Sequence, residues 1–400
     1  MSALLPALGP RLVFFTGGTA LKGLSRSLTR YTHNSVHLVT PFDSGGSSAA
    51  LREAFALPAV GDIRNRLAAL ADTSLVPQSV LDLWELRLPA EGDPEALRAR
   101  LRAMGSAGHP CWRALPPVLA DVMRVHLGYF LERMPDDFRP QKASMGNLLL
   151  AGGYLRFQRN FSPVLSLFSR VLQVRGVVLP IVNACLHLAA ELADGSVLVG
   201  QHHFCRLTQP VRRLYLTVHE PGRSMTALTP CRPLLSSTAA TYLQSAGAIC
   251  YPMGSFYTSV LANLLPDGVG RAVAAAHCPK IYIPNSGKDT EAQGLTLTAQ
   301  VDMLLGHLRQ DAPRAAPGDL LHAVLLDSRN GRYPGGIERQ ELERRGIEVV
   351  DRDMVCPGDP QHHDPERTAL ALLELVESLR ARGLGGPESA AAVPPEEDEA

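Results

Sequence analysis

Two strand–turn–helix units within the first 55 residues constrain this chain more than any other feature. Residues 11–15 form an apolar run that ends in Thr-Gly-Gly, and leucines follow at helical spacing. Residues 36–40 predict a second strand, which ends at Pro-Phe-Asp-Ser-Gly-Gly before a helical segment at residues 47–55. Successive units of this kind require parallel strands and right-handed crossovers. The sequence therefore predicts an α/β fold with a mostly parallel sheet.

The remaining pattern predicts one large domain with two additions. Residues 78–174 have the pattern of helices and loops, which indicates a helical insertion, and residues 186–200 alternate around Asp194-Gly195 as a β-hairpin does. Residues 211–218 predict another strand, after which strands and helices alternate through residue 350. We expect a single α/β domain over residues 1–365, a C-terminal helix over 366–384 and a disordered acidic tail over 385–400.

Charge and cysteine content narrow the class of protein. Lys plus Arg and Asp plus Glu both number 39, and this zero net charge argues against nucleic-acid and membrane partners. Seven scattered cysteines without a C-x-x-C pair favour a reducing, cytoplasmic compartment over a zinc or redox motif. The N-terminal residues lack the basic region of a signal peptide, and no apolar stretch is long enough to span a bilayer.

The turn after the first strand suits a phosphate. Gly17, Gly18 and Thr19 lie where that strand passes into a helix. Glycines there let backbone N–H groups approach an anion at the positive end of the helix. A tight turn without a ligand is the alternative.

The turn after the second strand carries more donors. Gly45 and Gly46 lie between Ser44 and Ser47, at the carboxyl end of a strand, where open α/β sheets bind ligands. Asp43 precedes them and either holds Mg²⁺, takes a proton from an attacking hydroxyl or caps the turn.

A third helix is predicted over residues 62–72, with Asp62 available as its N-cap. Arg64 and Asn65 follow about one turn into this predicted helix. The forked donors of Arg64 suit a diphosphate, and a surface ion pair is the alternative. Three donor-rich turns within 65 residues favour a shared ligand site.

Two later helix starts extend the same expectation. Asn147 follows a glycine and either binds a base or ribose hydroxyl or caps its helix. The Met-Gly-Ser-Phe-Tyr-Thr-Ser segment places Gly254, Ser255, Tyr257 and Thr258 at a helix expected to begin at Ser255. Tyr257 either stacks on a base or packs against the protein.

Six segments, in this order, resemble the CofD/YvcK family: GGTALKGL, VTPFDSGGSSAALR, GDIRNRLAALAD, MGNLLLAG, LHLAAELADGSVLVG and MGSFYTSVLANLL. The likeness covers residues 13–283, continues more loosely through 350, and is closer to the YvcK branch. It implies a Rossmann-like fold with flanking helices and a nucleotide-diphosphate pocket at the carboxyl ends of the strands.

The two branches imply different functions. The CofD branch implies a transferase that moves a 2-phospho-L-lactyl group from a guanosine-diphosphate-linked donor to a deazaflavin hydroxyl, with release of GMP and assistance from Mg²⁺. The YvcK branch implies a non-catalytic regulatory protein of carbon metabolism or the cell envelope that binds nucleotide sugars. We expect a transferase first, a GDP- or UDP-type ligand, and a homodimer as in other family members.

The resemblance also assigns roles and shows two departures. In a transferase, Asp43 would bind Mg²⁺ or orient the acceptor hydroxyl, Arg64 would neutralise charge, and Asp62 would anchor the loop. Ser44 stands where the family often has a second acid, and Pro252 removes one backbone N–H from a turn that is Gly-Pro-Gly-Ser in the family. Both departures bear on catalysis more than on fold.

The histidine pairs at 202–203 and 362–363 are weaker candidates for a metal site. Adjacent residues of a strand point to opposite faces, so at most one histidine of each pair could join a site. The second pair is expected in an exposed loop between two prolines. The sequence favours neither pair as a metal site.

Overall fold

The computed structural model describes residues 5–207, 209–218, 229–287 and 289–384. Its strands are β1 Leu12–Thr16, β2 Val36–Val39, β3 Val177–Pro180, β4 Leu186–Leu192, β5 Val197–Val199, β6 Val211–Val218, β7 Pro230–Cys231, β8 Ala248–Tyr251, β9 Lys280–Tyr282, β10 Ala323–Leu326, β11 Glu348–Asp351, β12 Val355–Cys356 and β13 Asp359–His363. Its α-helices are α1 Lys22–Leu28, α2 Gly46–Phe55, α3 Gly61–Ala69, α4 Gln78–Glu85, α5 Pro94–Met104, α6 Pro117–Arg133, α7 Met145–Arg156, α8 Phe161–Val171, α9 Ser237–Gln244, α10 Val269–Ala275, α11 Leu297–Leu308, α12 Pro317–Leu320, α13 Arg339–Arg344 and α14 Pro365–Ala381.

Seven parallel strands form the central sheet in the order β11-β10-β9-β8-β1-β2-β3. Every residue of β1 is buried, because layers cover both faces of the sheet. Leu12 and Phe14 pack in the cluster that α1 and α14 complete. Val13 and Phe15 point to the opposite face and pack in a separate cluster. The predicted α/β fold with a parallel sheet is confirmed.

A second, antiparallel sheet in the order β5-β4-β6-β7 covers part of that opposite face. The predicted hairpin is its β4–β5 pair, with Gly195 at φ 84° in the turn. Leu188 and Leu216 are buried between this sheet and the central one. The hairpin and the strand predicted over residues 211–218 are confirmed.

Helices α4 to α8 fill the region predicted to be helical. They bury Trp84, Phe130 and Phe168 in a hydrophobic cluster that also includes residues of α2 and α3. The helical content is confirmed, whereas the division of the chain into a domain, an insertion and a C-terminal helix stays a prediction.

Two local expectations were wrong, and one strand of the central sheet was not predicted. The third helix begins at Gly61, with Val60 as its N-cap, so Asp62 lies inside the first turn and does not cap it. The segment after β8 is a π-helical turn at Phe256–Val260 followed by a 3-10 helix at Leu261–Leu264, not a regular α-helix. Strand β3 was not predicted, because four residues with alternating partial burial give little signal.

The ends of the chain add two points. The predicted acidic tail over residues 385–400 lies outside the described residues. Within the described ranges, none of the helices has both the length and the apolar character needed to cross a membrane.

Candidate functional site

The donor-rich turns meet at one edge of the central sheet. From β1 the chain builds outward through β2 and β3 on one side, and β8 to β11 lie on the other side. The strand order therefore reverses between β1 and β8, and a crevice at the carboxyl ends of the strands is the usual ligand position in such sheets. The turns that follow β1, β2 and β8 all lie at this edge.

The first glycine turn is packed too closely for a side chain. A Cβ on Gly17 would lie 2.6 Å from Ser259 Oγ and 3.0 Å from Thr40 Oγ1. Gly18 has more space, and its backbone N–H donates to Asp62 Oδ2 at 2.9 Å. Thr19 is exposed beside it. This turn therefore joins the segments that follow β1, β2 and β8 with the start of α3.

The Arg66 side chain holds the first glycine turn in place, a role that was not predicted from the sequence. Its side chain is 2% exposed and donates to Ser25 Oγ, Thr16 Oγ1 and the carbonyl oxygens of Gly17 and Gly18. Burial lowers the pKa of Arg66 to about 10, so the group stays charged at neutral pH. The spacing of four residues from an acid in α3 was the available sequence signal.

The second glycine turn is held in a similar way. Asp43 Oδ1 accepts the N–H of Gly45 at 2.9 Å. Arg52, which is 5% exposed, donates to the carbonyl oxygens of Phe42, Asp43 and Leu186. The Arg52 bonds hold the backbone at Phe42 and Asp43, and this role of Arg52 was not predicted from the sequence.

Asp43 and Asp62 form a pair of neighbouring carboxylates. Asp62 is 8% exposed, and burial, together with the negative charge of Asp43, raises its pKa to about 6. A Cβ on Gly61 would lie 3.0 Å from Asp43 Oδ2, which places that oxygen directly at the start of α3. Asp62 therefore places a second carboxylate beside Asp43, where the neighbouring Ser44 offers none.

This pair fits a hard divalent cation. Asp43 Oδ2 and Asp62 Oδ1 receive no hydrogen bond from the described residues. Carboxylate oxygens are the ligands that Mg²⁺ prefers, and a cation would offset the repulsion that raises the Asp62 pKa. No group of three or more His, Cys, Asp or Glu residues suited to a metal occurs in the described ranges. Two protein ligands agree with Mg²⁺, which usually keeps water or phosphate in its other positions.

The N-termini of α2, α3 and α7 converge beside this pair. Asn147 Nδ2, in the first turn of α7, donates to Ser47 Oγ, in the first turn of α2, at 2.9 Å. A Cβ on Gly61, the first residue of α3, would lie 2.6 Å from Ser48 Oγ. None of these three helices carries a side-chain cap from the described residues; α1, α4, α6, α10 and α13 also lack one, whereas α5, α8, α9, α11 and α14 have one. Three uncapped helix ends create a local positive field.

The Arg64 guanidinium lies at the start of α7 and has N–H donors that are not used by the described residues. Its stem packs so closely on Gly146 that a Cβ there would lie 2.9 Å from Arg64 Cγ. The side chain is 5% exposed, and its one hydrogen bond among the described residues goes to Asn65 Oδ1. Burial, aided by the charge of Arg87, lowers the pKa of Arg64 to about 10. A buried guanidinium with unused N–H groups suits a bound anion.

The turn after β8 differs from the expectation for it. The N–H groups of Tyr257 and Thr258 both donate to Glu291 Oε2, and Gly254 is bound to Asn285. The Tyr257 ring is 4% exposed and packs against Phe256 and Phe204. In this structure the ring packs rather than lying open to a base, and Ser255 stands exposed at the start of the turn.

The histidine pairs do not lie as predicted. His202 and His203 belong to the 3-10 helix Gln201–Arg206 instead of a strand, and their ring centroids are 3.9 Å apart. His202 Nδ1 lies 2.8 Å from Ser44 Oγ, which brings the end of the hairpin onto the second turn. His362 and His363 lie in strand β13 rather than in a loop.

A cavity of about 230 Å³ lies beyond the turn after β8. Its lining includes Asn285, Asp289, Leu295, Gln300 and Tyr333. The cavity adjoins the crevice, because Asn285 also binds Gly254. The edge of the sheet thus offers room for a ligand larger than a diphosphate.

Comparison with known proteins agrees with this architecture. Residues 12–355 match the family model described as 2-phospho-L-lactate transferase CofD. The gluconeogenesis factor of Bacillus subtilis is 28% identical over 92% of this chain and 98% of its own length. The gluconeogenesis factor of Halalkalibacterium halodurans is 29% identical over 91% and 95%. A crystal structure of a UPF0052 family member from Bacillus halodurans superposes with a TM-score of 0.66, at 23% identity, over 91% of this chain and 99% of that one.

Proposed function

The chain belongs to the CofD family, and from that premise we propose that it binds a nucleoside-diphosphate-linked small molecule of the GDP or UDP type. The observation that carries this proposal is the convergence of the uncapped N-termini of α2, α3 and α7 on the spare donors of Arg64. A diphosphate would match both the positive helix ends and the guanidinium.

The ligand would lie across the glycine turns. Gly18 and Gly46 leave open space near the backbone, where a phosphate could approach, and Gly46 and Ser47 supply amide and hydroxyl donors at the start of α2. The rest of the molecule would extend past Ser255 toward the cavity at Asn285 and Tyr333. Asn147 would then orient the ligand or the Ser47 hydroxyl that it contacts.

We propose that binding serves regulation, as a nucleotide-sugar-binding protein of carbon metabolism. Relatives that match over nearly their whole length and nearly all of this chain are named gluconeogenesis factors. Ser44 and Pro252 depart from the family pattern, whereas the glycines at 17, 18, 45 and 46, which lie where a diphosphate would bind, are kept.

A transferase of the 2-phospho-L-lactate type is the second candidate, and the pair of Asp43 with Asp62 favours it. Mg²⁺ held by the two carboxylates would supply charge neutralisation for a transferring phosphoryl group. Asp43 would orient the acceptor hydroxyl, Arg64 would stabilise charge on the phosphate oxygens, and Asp62 would keep Gly18 in place. The cavity beside Asn285 offers the acceptor space that this reaction needs.

Thermal unfolding against GDP, GMP, UDP, UDP-N-acetylglucosamine and the deazaflavin Fo, each with and without Mg²⁺, tests the proposal. A ligand that binds only the folded state raises the melting temperature. Arg64→Met should weaken binding about tenfold or more, while Arg87→Met, at an exposed neighbouring arginine, serves as the control. UDP-sugar binding alone supports the regulator, binding of GDP and of Fo supports the transferase, and no shift from any ligand rejects both.

A further inference from the structure

Glu291 fills the turn after β8 with a carboxylate from the protein itself. Its Oε2 accepts the N–H groups of Tyr257 and Thr258 at 3.0 and 2.9 Å, and its Oε1 accepts the Thr258 hydroxyl at 2.7 Å. Asp289 Oδ2 accepts the preceding N–H, from Phe256, at 3.1 Å. Three successive backbone donors are thus bound to two carboxylates from one loop.

The same turn packs directly against the first glycine turn. Ser259 lies so close that its Oγ would be 2.6 Å from a Cβ on Gly17. Asn263 Nδ2 donates to the carbonyl oxygens of Thr16 and Ser259 at 3.0 and 2.7 Å, and this ties the turn to the end of β1. A shift of residues 255–259 would therefore displace Gly17.

We propose that Glu291 is a positioning residue of the ligand site, whose carboxylate fixes the turn at residues 255–259 and thereby the phosphate-binding conformation at Gly17 and Gly18. Glu291 is 8% exposed, and the two residues that it binds are 4% and 1% exposed. A ligand phosphate does not reach these donors while Glu291 occupies them. The turn thus contributes through its position, and the inference rests on the proposed diphosphate site.

The shape of the contact decides which variants are informative. In Glu291→Gln the side-chain oxygen can accept both N–H groups, and the amide can donate to Thr258 Oγ1, so the turn keeps its geometry. Glu291→Ala leaves three buried donors without an acceptor. Thr296→Ala is the matched control, because it removes a helix cap in the same loop region and leaves residues 255–259 untouched.

The test is titration of the full chain with Mg²⁺ and GDP, and separately with Mg²⁺ and UDP, well below the melting temperature. We expect Glu291→Ala to raise the Kd about tenfold or more. Glu291→Gln should restore the Kd to within about threefold of the natural chain, and Thr296→Ala should leave it unchanged. The inference would be overturned if Glu291→Ala bound the nucleotide with the same Kd as the natural chain. It would also be overturned if Glu291→Gln bound the nucleotide as weakly as Glu291→Ala does. If Glu291→Ala does not fold, Thr258→Val removes one of the three donors and must still weaken binding.

Hydrogen exchange separates this inference from the proposed function. If the natural chain binds neither nucleotide, the proposed function fails, and exchange at the Gly18 amide decides the role of Glu291. The positioning role of Glu291 is supported if the Gly18 amide exchanges faster in Glu291→Ala than in the natural chain, while Glu291→Gln and Thr296→Ala keep the rate of the natural chain. Equal exchange in all four proteins overturns it.

Discussion

The backbone N–H of Gly18 donates to Asp62 Oδ2 at 2.9 Å, across 44 residues of sequence. This bond makes Asp62 part of the first glycine turn, although the helix that contains it, α3, comes after the second glycine turn in the sequence. The Asp62 carboxylate also lies beside Asp43. Burial and the negative charge of Asp43 both raise the pKa of Asp62. The site therefore carries a carboxylate whose ionisation costs stability.

Replacing Asp62 with Asn should stabilise the protein at neutral pH. Because folding raises the Asp62 pKa from about 3.9 to about 6, its stabilising contribution is complete below pH 4 and is lost as pH rises through 6. Asn keeps an oxygen to accept the Gly18 N–H and carries no charge. We expect the advantage of Asp62→Asn in unfolding free energy to grow from near zero at pH 4 to about 1–3 kcal/mol at pH 8. Urea unfolding at constant ionic strength measures it, and an advantage that does not change with pH would contradict the argument.

Mg²⁺ should stabilise the natural chain through the same pair. At a Mg²⁺ concentration about tenfold above the Kd, binding to the folded state adds about 1.4 kcal/mol. Asp43→Asn should fold normally and lose this increment, because one of the two carboxylates is gone. Calorimetric melting with Mg²⁺, and with Na⁺ at matched ionic strength, measures the effect. Equal stabilisation of the natural chain and of Asp43→Asn would place the cation elsewhere.

Gly17→Ala should destabilise the protein and weaken ligand binding. A Cβ there would meet Ser259 Oγ at 2.6 Å and Thr40 Oγ1 at 3.0 Å, so one of the turns must move, at a cost of about 1–3 kcal/mol. Gly18→Ala is the control, because its Cβ would meet only Ser259 Oγ, at 3.9 Å. Chemical unfolding of both variants gives the comparison, and a Gly17→Ala variant as stable as Gly18→Ala would show that the packing relaxes freely.

Local patterns predicted most of the central sheet and the turns at its edge. Strand β1 and the turn after it are adjacent in sequence, so glycines after an apolar run were sufficient evidence. The hairpin β4–β5 was predictable for the same reason, since its turn residues lie between its strands.

Contacts between distant segments could not be predicted in this way. Glu291 binds residues that precede it by 33 and 34 positions, and His202 meets Ser44 across 158. The position of Asp62 in the sequence predicted a helix cap, and the family resemblance offered a loop anchor; the carboxylate binds the Gly18 N–H, as a loop anchor would, and does not cap the helix. A local pattern fixes the type of donor or acceptor, and tertiary packing selects its partner.

Of the arginines at this site, Arg66 should be the one whose replacement lowers the unfolding free energy most. Its guanidinium donates to four acceptors, two of them carbonyl oxygens of the first glycine turn, and three of these four bonds are buried. The ammonium group of Lys reaches fewer of these acceptors at once, so Arg66→Lys should cost about 2–4 kcal/mol of unfolding free energy. Arg26→Lys, at an exposed position of α1, should change it by less than about 0.5 kcal/mol. Because the charge of Arg66 also lowers the Asp62 pKa, a neutral Arg66→Met variant should move the pH dependence of Asp62→Asn to higher pH. If Arg66→Lys unfolds at the same urea concentration as the natural chain, the four bonds do not hold the turn, and the rigidity of the turn must come from the packing of Ser259 and Thr40 on Gly17.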